Sequence, residues 1–167
     1  KIEILSKNLK NEKIINFENS KEHLFSIIKN IDLYNYLISN LKKNKLFKLK
    51  KNLTFKKLLN ANNGLIVNCD KNHPLTKKFF NKNFYKNYDS FAYITTIKHQ
   101  KIFKNNVAQQ IFTEVGPLAF LPISEKETSI VLSAKKSEKI DLKKIIEKYN
   151  QKYSILKINK ILNHKLT

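Results

Sequence analysis

The side chains able to do chemistry are few and far apart. Cys69 is the only cysteine, so neither a disulfide nor a thiolate zinc site can form within the chain. Its neighbours Leu65-Ile66-Val67-Asn68 make it a small hydrophobe of a buried strand rather than a nucleophile. His23, His73, His99 and His164 include no pair four residues apart, the spacing a helical metal site uses, and read as surface or structural groups. Gly64 and Gly116 are the only glycines, too few for a P-loop or a dinucleotide fingerprint. No phosphate cradle is legible in the chain.

Charge is the most conspicuous property. The 167 residues carry a formal +20 and a pI near 9.9, the usual footprint of a phosphate binder. All 33 basic residues are Lys, however, and base readout leans on the guanidinium fork that only Arg supplies. Asn, Ile, Phe and Tyr are abundant while Gly, Pro, Trp and Arg are scarce or absent, which separates residues of AT-rich codons from those of GC-rich ones. Coding bias therefore accounts for much of the charge, the lysines are spread along the chain, and no nucleic-acid partner is expected. No apolar run approaches the roughly 18 residues of a spanning helix. The chain opens directly on Lys1-Ile2-Glu3-Ile4-Leu5 with no leader, and reads as one piece of a longer protein.

The elements that must position any site follow from periodicity. Alternation and β-branched content predict strands at 2–6 and 13–17, then Leu24-Phe25-Ser26-Ile27-Ile28 leading into a helix over 30–43. Asn30 is the expected N-cap, and Leu33, Leu37, Ile38 and Leu41 share a face. Short strands are expected at 47–50 and 53–59, a turn at Ala61-Asn62-Asn63-Gly64, and a buried central strand at 65–69. A short basic helix follows at 75–80. Strands at 88–97, 107–113, 118–123 and 128–133 then have hairpin spacing and predict an antiparallel sheet, with 107–113 returning beside 88–97 after the turn at Asn105-Asn106. A helix is expected over 140–149, and 155–162 fits either a final strand or a continued helix. No internal repeat or clear domain break is visible.

The stretch Val107-Ala108-Gln109-Gln110-Ile111-Phe112, then Gly116-Pro117-Leu118-Ala119-Phe120-Leu121-Pro122-Ile123, then Ser129-Ile130-Val131-Leu132-Ser133, resembles the middle of the flavin-dependent ubiquinone-biosynthesis hydroxylases. That family has a Gln-x-Phe strand, a Gly-Pro-Leu-Ala-x-Leu-Pro segment and a Ser-x-Val-Trp-Ser strand in this order; Leu132 stands for the Trp. Upstream, Ile28-Lys29-Asn30 with Leu33, Leu37 and Leu41 resembles its helix after an Ile-Val-x-Asn strand. Leu65-Ile66-Val67 followed by Asp70 resembles the strand entering its Asp-Gly motif. The likeness covers most of the chain. It departs at Asn68-Cys69-Asp70-Lys71, where the family has Gly-Ala-Asp-Gly, at Pro74 and Lys77 for its Ser and Arg, and at Tyr34 for its usual Gln.

The resemblance implies an α+β fold, a mixed or antiparallel sheet with flanking helices. This would be the substrate-domain portion of an FAD monooxygenase of the para-hydroxybenzoate hydroxylase-like fold. Residues 1–80 would pack beside the FAD-binding domain, 85–135 would form the substrate-domain sheet, and 136–167 would be a helix and a connection back. Asp70, Tyr34, Gly116 and Pro117 would meet the FAD, and Gln110, Phe112, Leu118, Ala119 and Phe120 the substrate. Neither a metal nor a catalytic side chain is expected, because the cofactor carries the hard step. NAD(P)H would be the electron donor and a polyprenylated phenol the substrate, in a cytoplasmic enzyme peripheral to a bacterial inner membrane or within a ubiquinone-biosynthesis complex. The rival expectations are a noncatalytic hydroxylase-like binding protein and a basic nucleic-acid or membrane-surface module.

Overall fold

Alternating apolar residues between 90 and 135 build a sheet in the computed structural model, which describes residues 1–6, 12–19, 21–22, 24–51, 53–60, 64–80, 86, 88–135 and 140–166. His23 and the expected turn at 61–63 lie outside these residues. In chain order the elements are β1 (Ile2–Leu5), β2 (Lys13–Phe17), α1 (Asn30–Leu41), α2 (Phe55–Asn60), α3 (Pro74–Phe79), β3 (Ser90–His99), β4 (Ala108–Phe112), β5 (Pro117–Pro122), β6 (Glu127–Lys135), α4 (Leu142–Tyr149), β7 (Ile155–Ile158) and β8 (Leu162–Leu166). The architecture is α+β with one mixed sheet. Two compact units make up the chain: residues 1–28 with 87–167, and residues 29–86. Residues 1–28 thus belong with the sheet, because β1 pairs with β4.

The sheet runs β2-β1-β4-β5-β6-β3-β7, with β8 also on β3. Only β1 against β4 is parallel among the described pairs. The expected hairpin between 88–97 and 107–113 does not form. β3 pairs instead with β6 over Ser90 to Lys98, and β4 pairs with β5 and β1. The physical reason lies in side-chain bonds at the expected turn. Asn105 donates to the Ser124 carbonyl at 2.9 Å and accepts from Lys152 Nζ at 3.0 Å, so the segment is tied to other loops rather than closed on itself. Residues 155–166 settle as strand: β7 covers Ile97 to His99, and β8 covers Ser90 to Ile94. Asn159 bridges the two by donating its N–H to Thr96 and accepting from the Thr95 hydroxyl.

One face of this sheet is the core. Register places Leu118 and Phe120 of β5 beside Leu132 and Ile130 of β6, with Ile111 of β4 next in line. These residues join Leu142, Ile146 and Tyr149 of α4 and Tyr153 in one cluster. Spacing of four and three residues puts the three α4 side chains on one stripe. Asp141 caps that helix by accepting from the Lys144 N–H at 3.2 Å. Each large apolar side chain so buried contributes roughly 1.5–3 kcal/mol. His99, almost fully buried, is structural: its Nδ1 faces the Gln100 carbonyl at 2.8 Å and must donate, leaving Nε2 to accept from Thr128 at 3.0 Å.

The unit of residues 29–86 departs most from expectation. α1 starts at Asn30 as expected, but Lys29 occupies the cap position and no side chain caps the helix. Where a strand at 53–59 was expected, Phe55–Asn60 is helical, and 47–50 pairs with no strand. The expected buried strand at 65–69 is irregular and exposed, with Leu65 at 83% and Val67 at 76% exposure and Cys69 open to solvent. An apolar run needs neighbouring strands to bury it, and no strand pairs here. α1 therefore has no strand at Cys69 to pack beside. α3 matches the expected short helix, entered through Pro74 and capped by the His73 ring. Among the described residues, no helix is long and apolar enough to cross a membrane.

Candidate functional site

Strand alternation divides the five expected substrate residues between two faces. Gln110 lies directly opposite Ala119 across β4 and β5, and Ile2 and Ile4 of β1 continue that face beside Ala108 and Gln110. Phe112 belongs to the same face and is 45% exposed. Leu118 and Phe120 point the other way. Phe120 is 2% exposed and stacks on the Tyr153 ring at 5.8 Å, so it fills the core beneath α4.

The face carrying Gln110 is covered in part by residues 24–28. Phe25 and Ile27 are half-buried while Leu24, Ser26 and Ile28 are exposed, which is a strand-like alternation. No strand pairs with this segment, so the expected strand is instead an unpaired strap whose Phe25 and Ile27 line a cleft together with sheet residues. Between strap and sheet is an apolar cleft of about 270 Å³ lined by Ile2, Phe25, Ile27, Ala108, Gln109, Gln110, Ala119 and Leu121. Ala119 leaves the space that a larger side chain would fill. The Gln110 amide has no hydrogen-bond partner among the described residues, whereas the Gln109 amide is used on the opposite face, donating to Glu3 at 3.0 Å. The cleft thus combines apolar walls with one uncommitted donor and acceptor, the pattern of a small-molecule site. The strap and Ile2 were missed as site residues. The signal was present in the 24–28 alternation, but which surface it faces is a long-range fact.

Glu3 lies on the core-side face of β1 at 7% exposure. Burial pushes its carboxyl up, but hydrogen bonds from Lys13 and Gln109, the Lys13 charge and a bond from Lys1 outweigh it and hold the pKa at about 2. This ion cluster ties β2 and β4 to β1 and is structural.

The expected flavin contacts are divided between the two units, Gly116 and Pro117 in one and Asp70 and Tyr34 in the other. Gly116 adopts φ +144°, and a Cβ there would sit 1.9 Å from the Ser133 carbonyl oxygen. The space beside this glycine is therefore filled by β6 backbone. Gly116 also closes the β4 to β5 turn, exchanging hydrogen bonds with Thr113. Pro117 pairs with Phe112 at the start of β5. In the other unit, Asp70 accepts the Asn72 N–H at 2.9 Å and its carbonyl is held by Asn68 and Thr76, which closes its own turn. Tyr34 is 53% exposed on α1. Among the described residues, no group of His, Cys, Asp and Glu could hold a metal.

No protein-family model matches the sequence, and no curated protein matches it. Among solved structures, the crystal structure of CmlS, a flavin-dependent halogenase, aligns at 14% identity and a TM-score of 0.39. The alignment takes in 55% of this chain, which spans about a fifth (20%) of that protein's length. A likeness this weak carries no argument about chemistry.

Proposed function

We propose that the sheet unit is the substrate-binding portion of an FAD-dependent aromatic-ring monooxygenase, and that the cleft between strap and sheet takes a polyprenylated phenol. One observation carries the reading. The segment that resembles the ubiquinone-biosynthesis hydroxylases supplies both the open floor of the cleft, Ala119 and Leu121, and, through Gln110, its single uncommitted polar group. An amide can donate to and accept from a phenolic hydroxyl while the apolar walls hold the ring and the first part of the tail. At about 270 Å³ the cleft falls just below the roughly 300–1,000 Å³ range of ligand pockets, which suits one ring with a short substituent. The reading rests on the substrate side alone.

Isothermal titration with 2-prenylphenol tests it. Saturable binding is expected, lost in Ala119→Trp, which fills the cleft, and weakened about tenfold in Gln110→Leu, which removes roughly 1.4 kcal/mol of hydrogen bonding. Equal binding by the Trp variant sinks the assignment. FAD added to the same chain should bind weakly, and tight stoichiometric binding would show that these residues do grip the cofactor.

A further inference from the structure

A second cleft of about 360 Å³ adjoins the strap, lined on its polar side by Lys1, Asn19, Glu22 and Asn106. Phe25 and Ile27 line both this cleft and the apolar one. They are also the two half-buried side chains of the strap, set two residues apart between exposed neighbours. Pro122 and Ile123, at the end of β5, continue the wall from Leu121 into the polar cleft. Phe25 and Ile27 are thus the residues that the two clefts share.

We infer that Phe25 and Ile27 are specificity-determining residues that terminate the apolar cleft and so set the length of the apolar substituent it accepts. The inference rests on the proposed occupancy of that cleft by a phenol and adds which substituents are admitted. A tail short enough to end at the Phe25 ring is buried fully, and each buried methylene strengthens binding roughly fourfold. A longer tail meets the ring and must turn out to solvent, where added methylenes gain nothing. The space beyond the wall does not reward an apolar tail either, because Lys1, Glu22 and the asparagines there would lose water. The wall therefore acts by exclusion as much as by contact.

Truncating Phe25 adds the volume of its ring to the apolar cleft. The experiment titrates the 167-residue chain calorimetrically with phenols bearing straight alkyl groups of one to twelve carbons. In the native chain, affinity should rise with length and then level. In Phe25→Ala the levelling point should move at least two carbons further, with affinity for the longest members raised about tenfold and that for the one-carbon member changed less than threefold. Ile27→Ala should move the levelling point in the same direction, and Phe25→Leu should restore most of the native profile. Native-like circular dichroism is required of each variant; a variant that fails this is replaced by the other.

The outcomes separate the inference from the reading beneath it. Binding by the native chain with an unchanged length profile in both truncations overturns the inference and leaves the cleft assignment standing. Absence of binding of any alkylphenol by native chain and variants alike overturns both. A uniform loss at every length in Phe25→Ala would make Phe25 an ordinary contact and also defeats the inference.

Discussion

The sheet unit and the unit of residues 29–86 are built from the same residue types, rich in Leu, Ile, Phe and Lys, yet only one of them makes a core. In the sheet unit Ile97, Leu118, Ile130, Leu132 and Ile146 are fully buried. Between 29 and 86, Leu75 is the only buried hydrophobic residue among those described, and Leu46 is 90% exposed. Long-range ladders explain the contrast. A strand flanked on both sides presents a whole face to α4, whereas α2 and α3 have six residues each and too little surface to cover one another. Charge adds to this: residues 29–86 hold fourteen lysines against Asp32 and Asp70, and like charges oppose compaction. The comparison teaches that apolar content alone does not make a core; pairing partners do.

One kind of substitution, made in both units, should have very different effects. Gly116→Val places a Cβ against the Ser133 carbonyl and forces a β-branched residue to a positive φ, and should cost more than about 4 kcal/mol, unfolding the sheet. Gly64→Val meets nothing within 4 Å and should change stability by less than about 1 kcal/mol. Urea unfolding followed by circular dichroism reads both. A folded, native-like Gly116→Val would show that β5 and β6 do not approach as described.

Core deletion gives the next largest effect. Phe120→Ala removes a ring that is 2% exposed and stacked on Tyr153, and should cost about 3 kcal/mol or more. Leu37→Ala on α1, where the side chain is 49% exposed, should cost under about 0.5 kcal/mol. A similar cost at both positions would mean that α1 is covered in solution. Because Phe120 faces α4, its loss should also weaken 2-prenylphenol binding only in proportion to the unfolded fraction, unlike Ala119→Trp.

Much of the sheet was legible from the sequence because β-strand evidence is local. The strand at 13–17 matches β2 residue for residue, and β1, β3, β4, β5 and β6 lie within two residues of their expected ends. What the sequence did not show was pairing order. Asn105-Asn106 has turn chemistry, but the Asn105 side chain bonds to Ser124 and Lys152, far along the chain, and the neighbour of β3 proved to be β6. The run Leu65 to Cys69 misled for a related reason, since continuous apolar residues predict burial only where strands flank them. Of the expected site residues, Gln110 and Ala119 meet in one cleft, and alternation alone would have set Phe120 and Leu118 on the reverse face once the core side was known. That choice of side depends on α4, whose docking no short-range pattern records.

The smallest expected effect separates the units by pH. Glu3 is held at a pKa of about 2 in the folded chain, against an ordinary value of 4.5. Below about pH 5 the unfolded chain takes up this proton more readily than the folded one, so the stabilisation present at neutral pH is lost as pH falls toward 2. The contribution at pH 7 should be at most about 3 kcal/mol, the free-energy equivalent of the shift, and nearer 1–2 kcal/mol once screening of the partly exposed Lys13 is counted. Glu3→Gln keeps the shape and removes the charge. It should lower stability at pH 7 by that amount and flatten the acid slope between pH 5 and 2, read from urea midpoints of the sheet signal. High salt should reproduce part of the effect in the native chain, since Lys1 and Lys13 reach the carboxylate from partly exposed positions. An acid slope identical in native and Glu3→Gln chains would place the acid-sensitive carboxylate elsewhere and remove Glu3 as the tie between β1, β2 and β4.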